Sequence, residues 1–585
     1  MIFKEYNGLD LVATAEQVLE RWKKLSAFET SLKLREGAPE FIFFEGPPSA
    51  NGMPGIHHVM ARSIKDAVCR YKTQSGYKVR RRAGWDTHGL PVELGVEKKL
   101  GITKEDIGKK ISVEDYNRTC REEVMKYTAE WRTLTERIGY WVDMDDPYIT
   151  YDNRYIETLW WLLKDIYGKG YLYKGKSIQP YSPAAGTGLS SHELNQPGCY
   201  RDVKDTTCTA QFKVIGEDNL YFLAWTTTPW TLPSNTALCV GPNITYVKVK
   251  SSNPYTGAPA TYIVAKDLVG KLFSEKIPFE VLPGEMKGSE LVGMRYEQLI
   301  PWFRPDEGAF RVIPGDYVST EEGTGIVHIA PTFGADDAKV AKATGVPGLV
   351  VIDRNGDPQA QVDPRGRFYR VEDLDPEYVK ERVSDEYREW AGRYVKNAYD
   401  DSLPADVPTL DVDLCVMMKA TGKVFRIEKH VHSYPHCWRT DKPVLYYPLN
   451  SWFIRTTAVR EKMMELNNGI AWKPESTGTG RFGKWLENIQ DWNLSRSRYW
   501  GTPLPIWRTE DGKEEICIGS VKELYNEIEK SVAAGMMSSN PLKDKGFSPD
   551  DMSKDNYDRI DLHRPYVDNI FLKLSYYYRG QERRI

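Results

Sequence analysis

The first residues with the makings of a site lie in one loop, Gly46-Pro47-Pro48-Ser49-Ala50-Asn51-Gly52-Met53-Pro54-Gly55-Ile56-His57-His58. A loop that leads into a helix presents unpaired N–H groups and partial positive charge to an anion. Glycines such as Gly46, Gly52 and Gly55 let a ligand lie against the backbone. Two adjacent imidazoles, His57 and His58, can donate to phosphate oxygens. Together they suit stabilisation of charge on a pentavalent α-phosphate, without a covalent nucleophile. An ordinary capped helix with two surface histidines fits the spacing equally well. No Gly-Lys-Ser/Thr follows, so this is not a Walker A loop.

Two further constellations follow. Gly84-Trp85-Asp86-Thr87-His88-Gly89-Leu90-Pro91-Val92-Glu93 places a carboxylate and an imidazole two residues apart. Asp86 could hold an ammonium group; a lone Asp is more commonly a cap. The preceding Lys78-Val79-Arg80-Arg81-Arg82 is basic, a pattern more common on solvated faces than at nucleic-acid sites. Farther on, Trp225-Thr226-Thr227-Thr228-Pro229-Trp230-Thr231-Leu232-Pro233-Ser234-Asn235 gathers hydroxyls between prolines, and His328 and Asp336-Asp337 lie downstream. Hydroxyls, an imidazole and a carboxylate could place a hydrolytic water on an ester. Threonine-rich strand pairing is the plainer reading.

The elements that must position these groups are legible from periodicity. Glu16, Val18, Leu19 and Trp22 mark a helix over about 14–36. Phe41-Ile42-Phe43-Phe44, apolar without alternation and bounded by Pro and Gly, suits a strand buried on both faces of a parallel sheet. Met60, Ile64, Ala67 and Tyr71 then recur on one face of a helix. Strand, Gly/Pro loop, helix is the opening of a nucleotide-binding α/β unit. Residues 115–175 read as helical, and 205–400 as many short strands. Aromatic α/β texture returns near 430, so a β-rich block inserted in an α/β domain is expected.

Composition sets bounds. The 585 residues carry 79 Lys+Arg against 82 Asp+Glu, a net charge of −3, which excludes a histone-like basic protein but not a local basic face. Eight cysteines are too few for a disulfide scaffold. The chain has no apolar run of about 18 residues, and its start lacks the layout of a signal peptide.

The loop and the Gly-Trp-Asp-x-His-Gly-Leu-Pro-x-Glu block, in this order, resemble the class I aminoacyl-tRNA synthetases for branched aliphatic amino acids. Ser451-Trp452-Phe453-Ile454-Arg455 and Asp491-Trp492-Asn493-Leu494-Ser495-Arg496-Ser497-Arg498-Tyr499-Trp500 resemble the isoleucine-specific branch. The resemblance runs to about Leu572. It implies a Rossmann-type catalytic fold with an inserted β-rich editing domain. It also implies adenylation of isoleucine by ATP with Mg²⁺, and acyl transfer to tRNA(Ile) by a cytoplasmic monomer. Gly46, Asn51, Gly52, Gly55, His57 and His58 would bind ATP, the last three catalytically. Asp86 would hold the substrate ammonium, and Pro47, Trp452 and Trp492 would shape its side-chain pocket. Thr226, Thr227, Thr228, Asn235 and His328 would line the editing pocket, with Asp337 anchoring the wrong amino acid. The expected domains are 1–40, 41–180, the insert 181–425, and 426–572 with a surface insertion at 508–560.

Three departures from the family stand out. The usual His-Ile-Gly-His signature reads Gly55-Ile56-His57-His58 here, with first and third positions exchanged. The stretches where the family often pairs zinc-binding cysteines read Ser182…Ala185 and Cys437…Thr440, so no structural zinc is expected. The family's Lys-Met-Ser-Lys-Ser loop should follow residue 572. Asp551-Met552-Ser553-Lys554-Asp555 comes too early and lacks the leading Lys. The composition of 573–585 suggests a frameshifted or truncated frame. A partial sheet would expose an edge and apolar faces. The alternative to a ligase is therefore a chain that retains only editing and tRNA-end binding; a non-tRNA nucleotidyltransferase leaves the threonine-rich insert without a role.

Overall fold

The computed structural model describes residues 8–273, 277–404 and 407–574; most of the tail at 573–585 falls outside them. The chain forms two compact units, one built from residues 1–171 and 498–585, the other from 172–497.

The first unit is helical around a short parallel pair. Asp10 caps the helix Leu11–Lys24 by accepting from the Val12 and Ala13 N–H groups, and Arg21, Lys23 and Lys24 suit its C-terminal dipole. The single helix expected over 14–36 is two, because Ser26 adopts φ +43° and starts a second one, Ala27–Lys33. Strand Arg82–Trp85 pairs in parallel with Asp143–Ile149. The expected strand at 41–44 does not form a ladder. Its pairing stops at the Glu40–Lys78 bridge and the Phe41 N–H bond to Lys78 O, leaving Ile42 71% and Phe44 88% exposed. Tyr148 instead donates its hydroxyl to Glu45 O and lays its ring on Gly84, where a Cβ would come within 2.4 Å.

The helix after the loop forms as expected, over Ile56–Gln74, but its buried side is not the apolar one. Arg62, Cys69 and Thr73 are buried while Met60, Ile64 and Tyr71 are exposed. Arg62 lies over the Trp131 and Tyr140 rings and donates to Thr135, so the side chain that seats the helix is a cation on aromatic faces. Residues 508–560 also depart from expectation. They are not a surface insertion: Val521, Leu524, Ile528, Leu542 and Tyr557 bury with Ile156 and Trp160 in one core. The amphipathic helix Val521–Ala533, capped by Ser520, contributes Val521, Leu524 and Ile528 to it.

The second unit is built on a six-stranded sheet. Its order is Glu280–Lys287, Thr245–Ser252, Pro259–Ala265, Leu220–Thr226, Tyr200–Lys213 and Val424–Pro435. A three-stranded sheet sets Ala237–Val240 between Arg311–Pro314 and Ile326–Ile329. In a third, Leu445–Ile454 pairs with Leu172–Ser182 over ten residues. Residues 426–497, expected with the α/β part, therefore pack with the second unit, because strands 424–435 and 445–454 find their ladders there. A continuous core including Phe212, Phe222, Tyr262, Tyr296 and Trp302 underlies the sheets.

Leu524→Ala in the first-unit core is expected to cost about 2–5 kcal/mol by denaturant unfolding. Lys522→Ala, on the exposed side of the same helix, is expected to change stability by less than about 0.5 kcal/mol.

Candidate functional site

The loop at 46–58 is braced by neighbours within the first unit. Trp131 donates its indole N–H to Gly52 O at 2.9 Å, Tyr127 donates to Ala50 O at 3.1 Å, and Asp86 N–H donates to Pro48 O at 2.9 Å. A Cβ added at Gly46 or Gly52 meets nothing within 4 Å, so open space lies beside both, and Asn51 is exposed.

Helix Ile56–Gln74 starts from Gly55. The Gly55 N–H donates to His58 Nδ1 at 2.9 Å, which caps the helix and leaves His58 Nε2 as the nitrogen that bears the proton. Burial, the neighbouring His57 and Arg62 lower the pKa of His58, favouring that neutral ring. His57 is exposed, its ring centroid 3.8 Å from that of His58. A Cβ on Gly55 would lie 2.9 Å from Cε1 of His57, so a side chain at 55 would make the exposed His57 ring turn aside.

Asp86 sits in a loop that is tied down on both sides. The Thr87 N–H and hydroxyl bond to Thr150 Oγ1 at 2.9 and 2.8 Å. Trp500 donates its indole N–H to Thr87 O at 2.6 Å. Glu93, fully buried, accepts from Arg498 and from the Tyr499 and Trp500 N–H groups. Asp86 is exposed as a residue, yet neighbouring atoms that keep water from its carboxyl raise it above its usual pKa, partly offset by the His88 backbone N–H; a bound ammonium would reverse the shift. Pro47 and Asp86 belong to the first unit, Trp452 and Trp492 to the second. Trp452 donates its backbone N–H to Ser495 Oγ at 2.8 Å, and Trp492, 53% exposed, pairs with Ile454.

In the second unit, Thr226, Thr227, Thr228, His328 and Asp337 line one cavity of about 410 Å³. Thr226 ends strand Leu220–Thr226, and the short helix Pro229–Ser234 turns the chain back beneath it. Antiparallel pairing of Ile326–Ile329 with Ala237–Val240 sets His328 opposite Leu238. Asn235 does not line the cavity. Its Oδ1 accepts from the buried Tyr296 hydroxyl at 2.7 Å, which orients its Nδ2 toward Ala237 O at 2.8 Å and His328 Nδ1 at 3.3 Å. His328 therefore carries its proton on Nε2 and donates to Thr231 Oγ1 at 2.9 Å, and Thr231 in turn donates to Thr228 O at 2.8 Å. Burial lowers the His328 pKa to about 4. A neutral ring with both nitrogens occupied is no general base; it holds the threonine segment in place.

Asp337 accepts the Ala330 N–H at 2.8 Å, and burial raises its pKa to about 6. Gly334 makes room for it: a Cβ there would lie 2.5 Å from Asp337 Cγ. Trp225, Thr231, Tyr317 and Phe333 complete much of the wall. Trp225 and Thr231 flank the threonine run in sequence, whereas nothing local marks Tyr317 or Phe333.

The positions where zinc ligands were considered do not fit a metal. Ser182 Oγ accepts the Ala185 N–H in a closed turn, and among the described residues no group of three or more His, Cys, Asp or Glu is placed to bind one.

Two predictions follow from these geometries. Gly55→His alone is expected to turn the exposed His57 ring aside with a change in melting temperature of a few degrees at most, and Gly55→His with His57→Gly, which removes the contact, is expected to melt with the native chain. The pair is also expected to change affinity for an adenylate-mimicking inhibitor; equal affinity in the native chain and the double variant would count against a role for the exchange in nucleotide contact. For Asp337, the raised folded pKa means the folded state binds the proton more tightly than the unfolded chain. That contribution is present below about pH 3.8 and is lost as pH rises through about 6. Asp337→Asn, which keeps an oxygen for Ala330, should raise the melting temperature at pH 7.5, with the gain shrinking toward pH 4.

Comparison with known proteins identifies the family. The family profile "tRNA synthetases class I (I, L, M and V)" matches residues 17–562. An isoleucine–tRNA ligase of Bacteroides fragilis is 66% identical over 593 residues, covering 97% of this chain and 52% of that protein. One from Porphyromonas gingivalis is 65% identical, with 97% and 52% covered, and one from Clostridium tetani 43% identical, with 98% and 48% covered. The chain spans about half the length of the curated relatives it matches. With a family match over most of its residues, this chain belongs to the class I tRNA synthetases, with a mixed α/β fold that includes a β-rich unit.

Proposed function

We propose that the chain carries the amino-acid activation loop and the hydrolytic pocket of an isoleucine–tRNA ligase. The observation that carries this reading is the cavity in the second unit, a wall of threonine hydroxyls facing a buried carboxylate, in a chain 66% identical to a protein named isoleucine–tRNA ligase. In the activation step a carboxylate oxygen of isoleucine attacks the α-phosphorus of ATP, and pyrophosphate leaves with Mg²⁺. The helix N-terminus at Ile56, the His58 Nε2–H and the exposed His57 would face the charge that gathers on the phosphoryl oxygens. Transfer to tRNA(Ile) follows. No helix of the described residues is long and apolar enough to cross a membrane, and the proposed setting is the cytoplasm, with the chain acting as a monomer.

The second activity answers a limit of the first. For isoleucine against valine, the established case in this very family and not a figure inferred from this chain, one methylene is worth only about 1–3 kcal/mol. A second pocket that admits valine restores accuracy. There the Asp337 carboxylate would pair with the ammonium of the mischarged residue, which also reverses the cost of its burial. Thr226, Thr227 and Thr228 would hold a water at the ester carbonyl. Water adds to that carbon, the ribose oxygen departs, and it takes up the proton that the water gives up. With both nitrogens of His328 engaged, the proton passes by way of the substrate and solvent.

Deacylation of valyl-tRNA(Ile) by the 585-residue chain tests the pocket, and isoleucine-dependent ATP–pyrophosphate exchange, with valine as control, tests the loop. Asp337→Asn is expected to slow deacylation by about 10²-fold or more, as loss of a buried charge partner does. Thr228→Ala is expected to slow it without weakening substrate binding. Deacylation unchanged in Asp337→Asn would remove the proposed role of this cavity.

A further inference from the structure

Behind the Asp86 loop lies a chain of titratable side chains that the activation step as written leaves unused. Asp561 takes a hydrogen bond from His563 Nδ1 at 2.6 Å and an ion pair from Arg121 at 2.8 Å. His563, with its side chain 1% exposed, meets His88 nitrogen to nitrogen, Nε2 to Nε2 at 2.8 Å. Trp500 stacks on the His563 ring, with centroids 4.8 Å apart and planes 11° apart, and sets its edge to His88 at 5.1 Å. The same indole holds Thr87 O. All of these residues belong to the first unit.

The proton logic runs one way. Although burial works against its charge, the His563 hydrogen bond and Arg121 hold Asp561 below its usual pKa, so it is a carboxylate and an acceptor. His563 Nδ1 is then the N–H. With one proton on each ring, His563 Nε2 accepts and His88 Nε2–H donates. The proton of His88 is thereby committed to the interior, and its Nδ1 is left as a lone pair. Burial, His563 and Arg121 all disfavour a second proton on His88, and Asp561 is the one group that favours it. His88 lies two residues from Asp86, whose carboxyl its backbone N–H bonds.

We propose that the Asp561–His563 relay sets the tautomer of His88 so that its Nδ1 accepts a hydrogen bond from the α-ammonium of the amino acid beside Asp86. This rests on the activation reading above. His88 is then a binding residue, and His563 and Asp561 are positioning residues. The chemistry recognised is a cationic donor: a protonated His88 would repel it, and the opposite tautomer would present an N–H to an N–H.

The test is nitrogen-detected NMR on the chain with ¹⁵N-labelled histidine, combined with calorimetric titration of isoleucine. In the native chain His88 is expected as the Nε2–H tautomer, still uncharged at a pH where an ordinary imidazole is protonated, with its Nδ1 resonance shifting when isoleucine is added. His563→Ala is expected to return His88 to mixed tautomers and to weaken isoleucine binding about tenfold. His563→Gln, whose amide oxygen can accept the His88 proton, is expected to recover most of that affinity. An Nδ1–H tautomer, or ordinary titration near pH 6.5, in the native chain overturns the proposal. So does isoleucine binding that leaves the Nδ1 resonance unmoved, an outcome under which the activation reading still stands. The expected tautomer with no isoleucine binding overturns activation by this chain, and with it the role of His88.

Discussion

The buried carboxylate of Glu93 is the constraint on which the first unit depends. It is fully buried, and it is neutralised by Arg498 and by two backbone N–H groups some four hundred residues away in the chain. Burial works against the charge of Arg498, but Glu93 and Glu97 hold its pKa above the ordinary value. Neither partner can be removed without stranding the other in a low dielectric. Because those N–H groups belong to Tyr499 and Trp500, the ion pair fixes the indole that holds Thr87 and stacks on His563. The Asp86 loop owes its shape to this clamp more than to its own glycines.

At the cavity wall of the second unit the supporting network is uncharged. Tyr296, Asn235, His328 and Thr231 form an unbroken line of hydrogen bonds from the core to the cavity wall, each orienting the next. A satisfied network of this kind is rigid, since every alternative rotamer leaves a buried polar atom unpaired. Asp337, on the cavity wall, accepts the Ala330 N–H, and burial raises its pKa to about 6. His328, with both ring nitrogens engaged, supports the threonine segment.

The strength of the ligand-facing features contrasts with the openness around the helix Ile56–Gln74. Its apolar residues Met60, Ile64 and Tyr71 are exposed, as are Ile42 and Phe44. The helix is seated by Arg62 on aromatic rings. Periodicity located this helix correctly yet misjudged its buried side, because periodicity reports which residues prefer burial and not which neighbours are there to bury them.

Sequence alone determined the parts of this protein that depend on local rules or on fixed residue types. It placed the Gly/Pro loop before a helix, the threonine run between prolines, and the family to which the motifs belong. It also exposed the exchange of Gly55 and His57. Tertiary structure alone decided what those residues do to one another. Asn235 lies behind the pocket because Tyr296 orients it. Residues 508–560 form core because Trp160 and Ile156 receive them. His88 acquired a fixed proton because Asp561 and His563 return to it across more than 470 positions of sequence. Such pairings are set by packing between distant segments, and no spacing within a single segment encodes them.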